Sequence, residues 1–219
     1  MVFFQQDAVT CSCKTGCAGR CKCFKSGVRC ASGCQCSSCS NAFNQLQSFF
    51  GQADVTANPC FTSWLKGKAK SIDIVDSEFV ELLRSSLFGV KEGDTTTAPT
   101  GDCFGYDKDL ADLAEKWKKP DTTAEEKEGV VKAIIRIGLG VEKSEDRGYF
   151  FSFCSWSWHD KICTTHCGIC GECRGWRDWH CKVCNKCSYG LSSPCECGGV
   201  SDMYYSRHAM ERQMAYGSS

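Results

Sequence analysis

A chain of 219 residues is long enough for one or two domains, and its 26 Lys and Arg balance 26 Asp and Glu, so net charge alone points to no partner. Twenty-one cysteines leave two classes, a disulfide scaffold or a metal protein. The start Met-Val-Phe-Phe-Gln-Gln-Asp has neither a basic nor an apolar stretch and no 18-residue apolar run occurs, so no secretory signal and no membrane span are expected; in a reducing compartment an odd set of cysteines is read as metal ligands, with Zn2+ the expected ion.

After a lead over residues 1–10, residues 11–41 hold Cys11, Cys13, Cys17, Cys21, Cys23, Cys30, Cys34, Cys36 and Cys39, with little apolar material for a core. The pairs 11/13, 21/23 and 34/36 are Cys-x-Cys, tighter than the Cys-x-x-Cys knuckle and able to direct neighbouring thiolates at adjacent metals. Three tetrahedral zinc ions need twelve bonds, and these nine thiolates supply them when three of them bridge. The same segment carries Lys14, Arg20, Lys22, Lys25 and Arg29 and no acidic residue. Thiolates bind metal deprotonated, so nine of them with three divalent ions sum to minus three, and the five cations leave the loaded module at about plus two.

The nine cysteines, together with Phe24, Gly27 and Asn41, resemble a CXC domain of the tesmin/TSO1 type. That resemblance covers residues 11–41 and implies a three-zinc, nine-cysteine fold that binds duplex DNA. Carried over by position, it implies Lys14 and Arg20 as DNA contacts and Lys22, Lys25 and Arg29 as phosphate contacts. Arg20 stands where tesmin-type modules usually carry tyrosine, and one module is present where they usually come in tandem. Arginine can pair bidentately with guanine or enter a narrow minor groove, and lysine adds salt-dependent phosphate affinity. Three-zinc clusters also precede SET-type lysine methyltransferases, but the Asn-His motif those enzymes require is missing from residues 42–219.

Residues 42–150 form an acidic middle, with 19 Asp and Glu against 14 Lys and Arg, and hold only Cys60 and Cys103. The spacing predicts a helix over 77–89 with Phe79, Leu82, Leu83 and Leu87 inward, then a loop near 92–102. A second helix is predicted over 108–119, with Leu110, Leu113 and Trp117 inward and Pro120 as its end. Thr123 and Glu126 make a capping box for a third, carrying Val130, Val131, Ile134 and Ile135, with Gly138 and Gly140 as stops.

Residues 151–200 read as a second, ribbon-like zinc module. His166-Cys167-x-x-Cys170-x-x-Cys173 is echoed by His180-Cys181-x-x-Cys184-x-x-Cys187, with Cys154, His159 and Cys163 before and Cys195 and Cys197 after. Repeated Cys-x-x-Cys is a strong zinc signal, and the donors suffice for two or three ions, with the pairing open. His166 and His180 read as ligands or as hydrogen-bonding supports of ligands, and His159 stays undecided. Trp156, Trp158, Trp176 and Trp179 are expected to build the small core around the metal. Residues 163–187 resemble a CHY/CTCHY-type zinc ribbon, found beside RING domains in ubiquitin ligases; no cysteines for a RING follow Cys197. The tail, 201–219, is read as a possible helix with Met210 and Met214 on one side; His208 there is read as solvated.

The expected fold class is therefore small, mostly irregular zinc-stabilised modules joined by a short α-helical middle, with little regular sheet. No phosphate loop, nucleophile elbow, HExxH or deaminase pattern is present, so no enzyme activity is expected. The expected function is nuclear, zinc-dependent DNA or chromatin binding, with a protein partner meeting the second module or the helical middle. The alternatives are a structural subunit of a protein assembly and a ubiquitin-ligase component.

Overall fold

The computed structural model describes residues 9–17, 19–46, 56–68, 74, 76–141 and 148–204. The chain divides into two compact units, Met1–Lys161 and Ile162–Ser219. This division leaves residues 151–161 of the stretch that cysteine density marks off as 151–200 in the first unit.

The first unit begins with the cysteine cluster and two short helices, α1 (Lys22–Ser26) and α2 (Ala42–Gln45). Further on come β1 (Thr56–Ala57), α3 (Pro59–Lys68), α4 (Ser77–Phe88), α5 (Cys103–Tyr106), α6 (Lys108–Lys118), α7 (Ala124–Leu139) and β2 (Gly140–Val141). The unit closes with a hairpin of β3 (Tyr149–Ser152) and β4 (Ser157–Asp160). Its core lies where α4, α6, α7 and the hairpin meet, around Leu83, Leu87, Leu110, Ile134, Leu139 and Phe151.

Local chemistry sets these helices. Asp76 caps α4 by accepting from Glu78 N, and Gly89 ends it in the left-handed conformation at φ 68°. Asp107 caps α6, and the Thr123/Glu126 box caps α7 as the sequence predicts. Leu82 and Leu113 are only half-buried; Phe88 and Ala114 lie inside instead. The loop before α5 is pinned by Asp94, whose carboxylate accepts from the hydroxyls and amides of Thr97 and Thr96, which hold it well below the usual carboxylate range.

Helix α3 has no counterpart among the sequence predictions. Its signals are nevertheless local: Asn58 caps it by accepting from Phe61 N at 2.8 Å, and Pro59 occupies the first turn. Gly138 also departs from its predicted role as a stop. It lies inside α7, where a Cβ would stand 2.5 Å from Leu87 Cδ2 and 3.0 Å from the Trp158 ring, so its lack of a side chain serves close packing.

The second unit is built from two hairpins, β5 (Thr164–Cys167) with β6 (Glu172–Gly175) and β7 (Asp178–Cys181) with β8 (Lys186–Tyr189), followed by turns. Among its described residues, Cys181 is the one buried hydrophobic side chain, so this unit has no apolar core. Of the expected tail helix, residues 202–204 are helical and the rest, with His208, Met210 and Met214, lies outside the described residues. Sheet among the described residues is confined to four two-stranded pairs, and the fold is one of small cysteine-rich modules around short helices.

Candidate metal centres

The first centre is assembled by chain reversals over residues 9–46. Gln35 N donates to Cys11 O at 2.8 Å and Ser37 N to Cys13 O at 3.0 Å, which lays the last cysteines against the first. Gly27, at φ 71°, turns the chain after α1 and returns Cys30 to the cluster. Phe24 and Phe43, with ring centroids 5.4 Å apart, supply the small apolar floor.

Sulfurs group in fours. Cys11, Cys13, Cys17 and Cys21 form one set and Cys11, Cys23, Cys30 and Cys34 a second. Cys36 joins Cys11, Cys17 and Cys30 in a further grouping, and Cys39 interacts with Cys17, Cys30 and Cys36. The simplest partition into three ions makes Cys11, Cys17 and Cys30 the bridges, with 13/21, 23/34 and 36/39 as the terminal pairs. The sulfur separations are 3.8 Å for 11/17, 3.7 Å for 11/30 and 3.6 Å for 23/34. Two thiolates on one tetrahedral zinc stand about 3.8 Å apart, since each Zn–S bond is about 2.3 Å. A disulfide would need about 2.05 Å. The donor set thus fits zinc.

Two asparagines brace this cluster. Asn41, buried, donates from Nδ2 to Val28 O and to Cys30 Sγ at 3.4 Å, while its Oδ1 caps α2. Asn44 accepts from Cys30 N at 2.8 Å and donates to Cys39 Sγ at 3.2 Å. Asn41 belongs to the sequence pattern, and Asn44 lies outside it. Burial opposes ionisation at Cys21, but the Phe24 amide and the thiols of Cys11, Cys13 and Cys17 bring it down to about 7, whereas burial holds Cys11 up at about 11. Protons are thus unevenly shared among crowded sulfurs, the situation a divalent ion relieves by replacing them.

The five basic residues of this module are all exposed. Arg20 and Lys22 share a cleft of about 460 Å³ with Ser12, Cys13 and Gln35; Lys14, Lys25 and Arg29 do not line it.

In the second unit the predicted ligands sort into separate sets. Cys167, Cys170, His180 and Cys187 form one four-donor site. His180 Nδ1 stands 3.7 Å from Cys167 Sγ and 3.4 Å from Cys170 Sγ, near the 3.6 Å or so that tetrahedral zinc sets between sulfur and nitrogen. The other ring nitrogen, Nε2, meets Asn185 Oδ1 at 3.1 Å, which fixes the imidazole so that Nδ1 faces the thiolates. Cys181, Cys184, Cys195 and Cys197 form a second set, with 181/197 at 3.5 Å and 184/195 at 3.7 Å. The Cys197 amide, the Ser188 hydroxyl and the Cys197 thiol bring Cys195 down to about 6. Burial, then the thiols of Cys197, Cys195 and Cys181, push Cys184 up to about 12. Gly199 is required beside this set, because a Cβ there would stand 2.4 Å from Cys181 Sγ.

His166 and Cys173 form a two-donor pair, with Nδ1 and Sγ 3.5 Å apart. Cys163 is exposed, and its carbonyl accepts from Trp176 N, closing the open end of the β5–β6 hairpin. His159 Nε2 lies with hydroxyls, 2.7 Å from Ser155 and 3.2 Å from Ser157. Comparison of the chain with protein-family models, curated proteins and solved structures found no match.

Proposed function

We propose that the protein is a nuclear, zinc-dependent DNA- or chromatin-binding protein that meets duplex DNA through residues 11–41, a CXC-type module, and performs no reaction of its own. One observation carries this reading. Lys14, Arg20, Lys22, Lys25 and Arg29 are all exposed on a module without acidic residues, while Cys11, Cys17, Cys21 and Cys23 are buried. With its metals in place such a module presents a positive surface to phosphate. The cleft shared by Arg20 and Lys22 gives two of these cations a common target.

The test is fluorescence anisotropy of the zinc-loaded full chain on duplex DNA across a salt series. The expected result is an affinity that falls with salt, with a log–log slope of about −0.9 per phosphate neutralised. Arg20→Ala should weaken binding by about tenfold, and Lys25→Ala should reduce the slope by about 1. Absence of binding at low salt, with the zinc content confirmed, would overturn the reading.

A second reading is favoured by a separate feature. Ile169, Val183 and Tyr189 on the hairpins of the second unit are 67%, 71% and 70% exposed. Exposed apolar side chains on a metal-held scaffold suit a protein-docking surface, so a structural subunit of an assembly is the function to test if DNA binding fails.

A further inference from the structure

We propose that Cys60 and Cys154 are ligands of a further zinc-class ion, in the first unit and separate from the nine-cysteine cluster. Their sulfurs lie 3.6 Å apart, within the 3.5–3.8 Å range of the sulfur pairs in the other centres and far too long for a disulfide. Cys60 is 1% exposed and enters from the first turn of α3, where the helix terminus favours a thiolate. Asn58 fixes that turn: its side chain caps the helix and donates to Gly138 O, and its amide donates to Leu139 O, both at the end of α7. The Phe153 amide donates to Cys60 Sγ at 3.2 Å, as the Cys170 amide donates to Cys167 Sγ at 3.4 Å in the four-donor site of the second unit.

The hairpin that carries Cys154 supplies an independent argument. β3–β4, β5–β6 and β7–β8 have strands of equal length joined by turns of equal length, and each turn ends on a left-handed residue, Trp156 (φ 53°), Gly171 (φ 70°) and Asn185 (φ 56°). The first hairpin is therefore built like the two that present metal ligands. Where those place His, Cys, Cys and Cys (166, 167, 170 and 173; 180, 181, 184 and 187), it has Phe151, Ser152, Ser155 and Trp158. Its turn keeps a cysteine one position earlier, Cys154, and Cys60 of α3 stands opposite in place of a second turn cysteine. The pair provides two of the four positions of a tetrahedral ion, and two further donors complete it.

The test uses the full chain. Native mass spectrometry and inductively coupled plasma analysis of Cys60→Ser/Cys154→Ser should show one zinc fewer than the wild type, while Cys103→Ser, a buried thiol outside every centre, should keep the full count. Because the double variant could fail to fold, the wild type is also alkylated before and after chelation. Exposed Cys154 should resist alkylation until the chelator is added, then react. In the cobalt-substituted protein, X-ray absorption with and without the double substitution should show the loss of a site with two thiolates of this pair, and counts its remaining donors. An unchanged zinc count, prompt alkylation of Cys154 in the metal-loaded protein, or an intact mass and peptide map showing a Cys60–Cys154 disulfide would each overturn the proposal.

Discussion

Asn185 illustrates how one side chain can set both a fold and a metal. Its left-handed backbone closes the β7–β8 turn, and its Oδ1 accepts a hydrogen bond from His180 Nε2–H, leaving Nδ1 to face Cys167 and Cys170. Asn185→Gly keeps the left-handed turn and removes only the hydrogen bond, so the expected result is folded protein whose zinc affinity at this site, read by competition with a chelator, falls about tenfold or more. Unchanged affinity would show that the imidazole needs no such support. From sequence, Asn185 reads as ordinary turn chemistry, and Asn44 as one polar residue among many. What distinguishes them is contact with a donor that the fold brings near, Cys39 for Asn44 and His180 for Asn185. The cysteines themselves were legible because thiolate spacing is local.

Among the elements, legibility follows the same division. The caps of α4, α6 and α7 are written within four residues of the helix starts, and each helix begins where those residues place it. The Asn58-Pro59 start of α3 is equally local, although no predicted helix begins there. Gly138 reads as a stop because it lies near a helix end, whereas its reason is Leu87 on α4 and Trp158 on β4. Those neighbours also make a sharp prediction. Ala is the better helix former by about 1 kcal/mol, so on propensity alone Gly138→Ala would stabilise. A Cβ at 2.5 Å from Leu87 Cδ2 instead forces the Leu87 side chain or the Trp158 ring to shift, Leu87 is fully buried with no free space to move into, and overpacking costs about 1–3 kcal/mol. We expect net destabilisation in urea unfolding, with Leu87→Ala in the same chain recovering part of it. The hairpin repeat extends this lesson: two copies are visible through their ligands, while the third, at 149–160, has Phe151, Ser152, Ser155 and Trp158 at those positions and is recognised only by its register and turn.

At the scale of the whole molecule, two means of stabilisation coexist. Residues 76–141 bury Leu83, Leu87, Leu110, Trp117, Ile134 and Leu139, a continuous apolar core that needs no ion. Residues 162–204 bury almost nothing apolar, and two four-donor sets occupy the place of a core. Sequence composition revealed where the ligands are concentrated, but the sharing of sulfurs in the first cluster and the sorting of donors in the second unit depend on chain reversals that spacing leaves open. A structural zinc contributes roughly 10–16 kcal/mol of apparent binding free energy in small domains, more than a segment this poor in buried apolar surface could replace. Chelation should therefore act unevenly. On stripping zinc at neutral pH under reducing conditions, hydrogen exchange should accelerate by orders of magnitude at the amides of β5 to β8 and at those of Gln35 and Ser37 in the first cluster, whose bonds to Cys11 and Cys13 close it. The amides of α4, α6 and α7 should keep most of their protection, because their hydrogen bonds are shielded by packing that the metal does not hold. Zinc added back should restore the lost protection. Protection that survives chelation in the second unit, or helices that open together with it, would show that the division between a metal-held and a packing-held part is drawn in the wrong place.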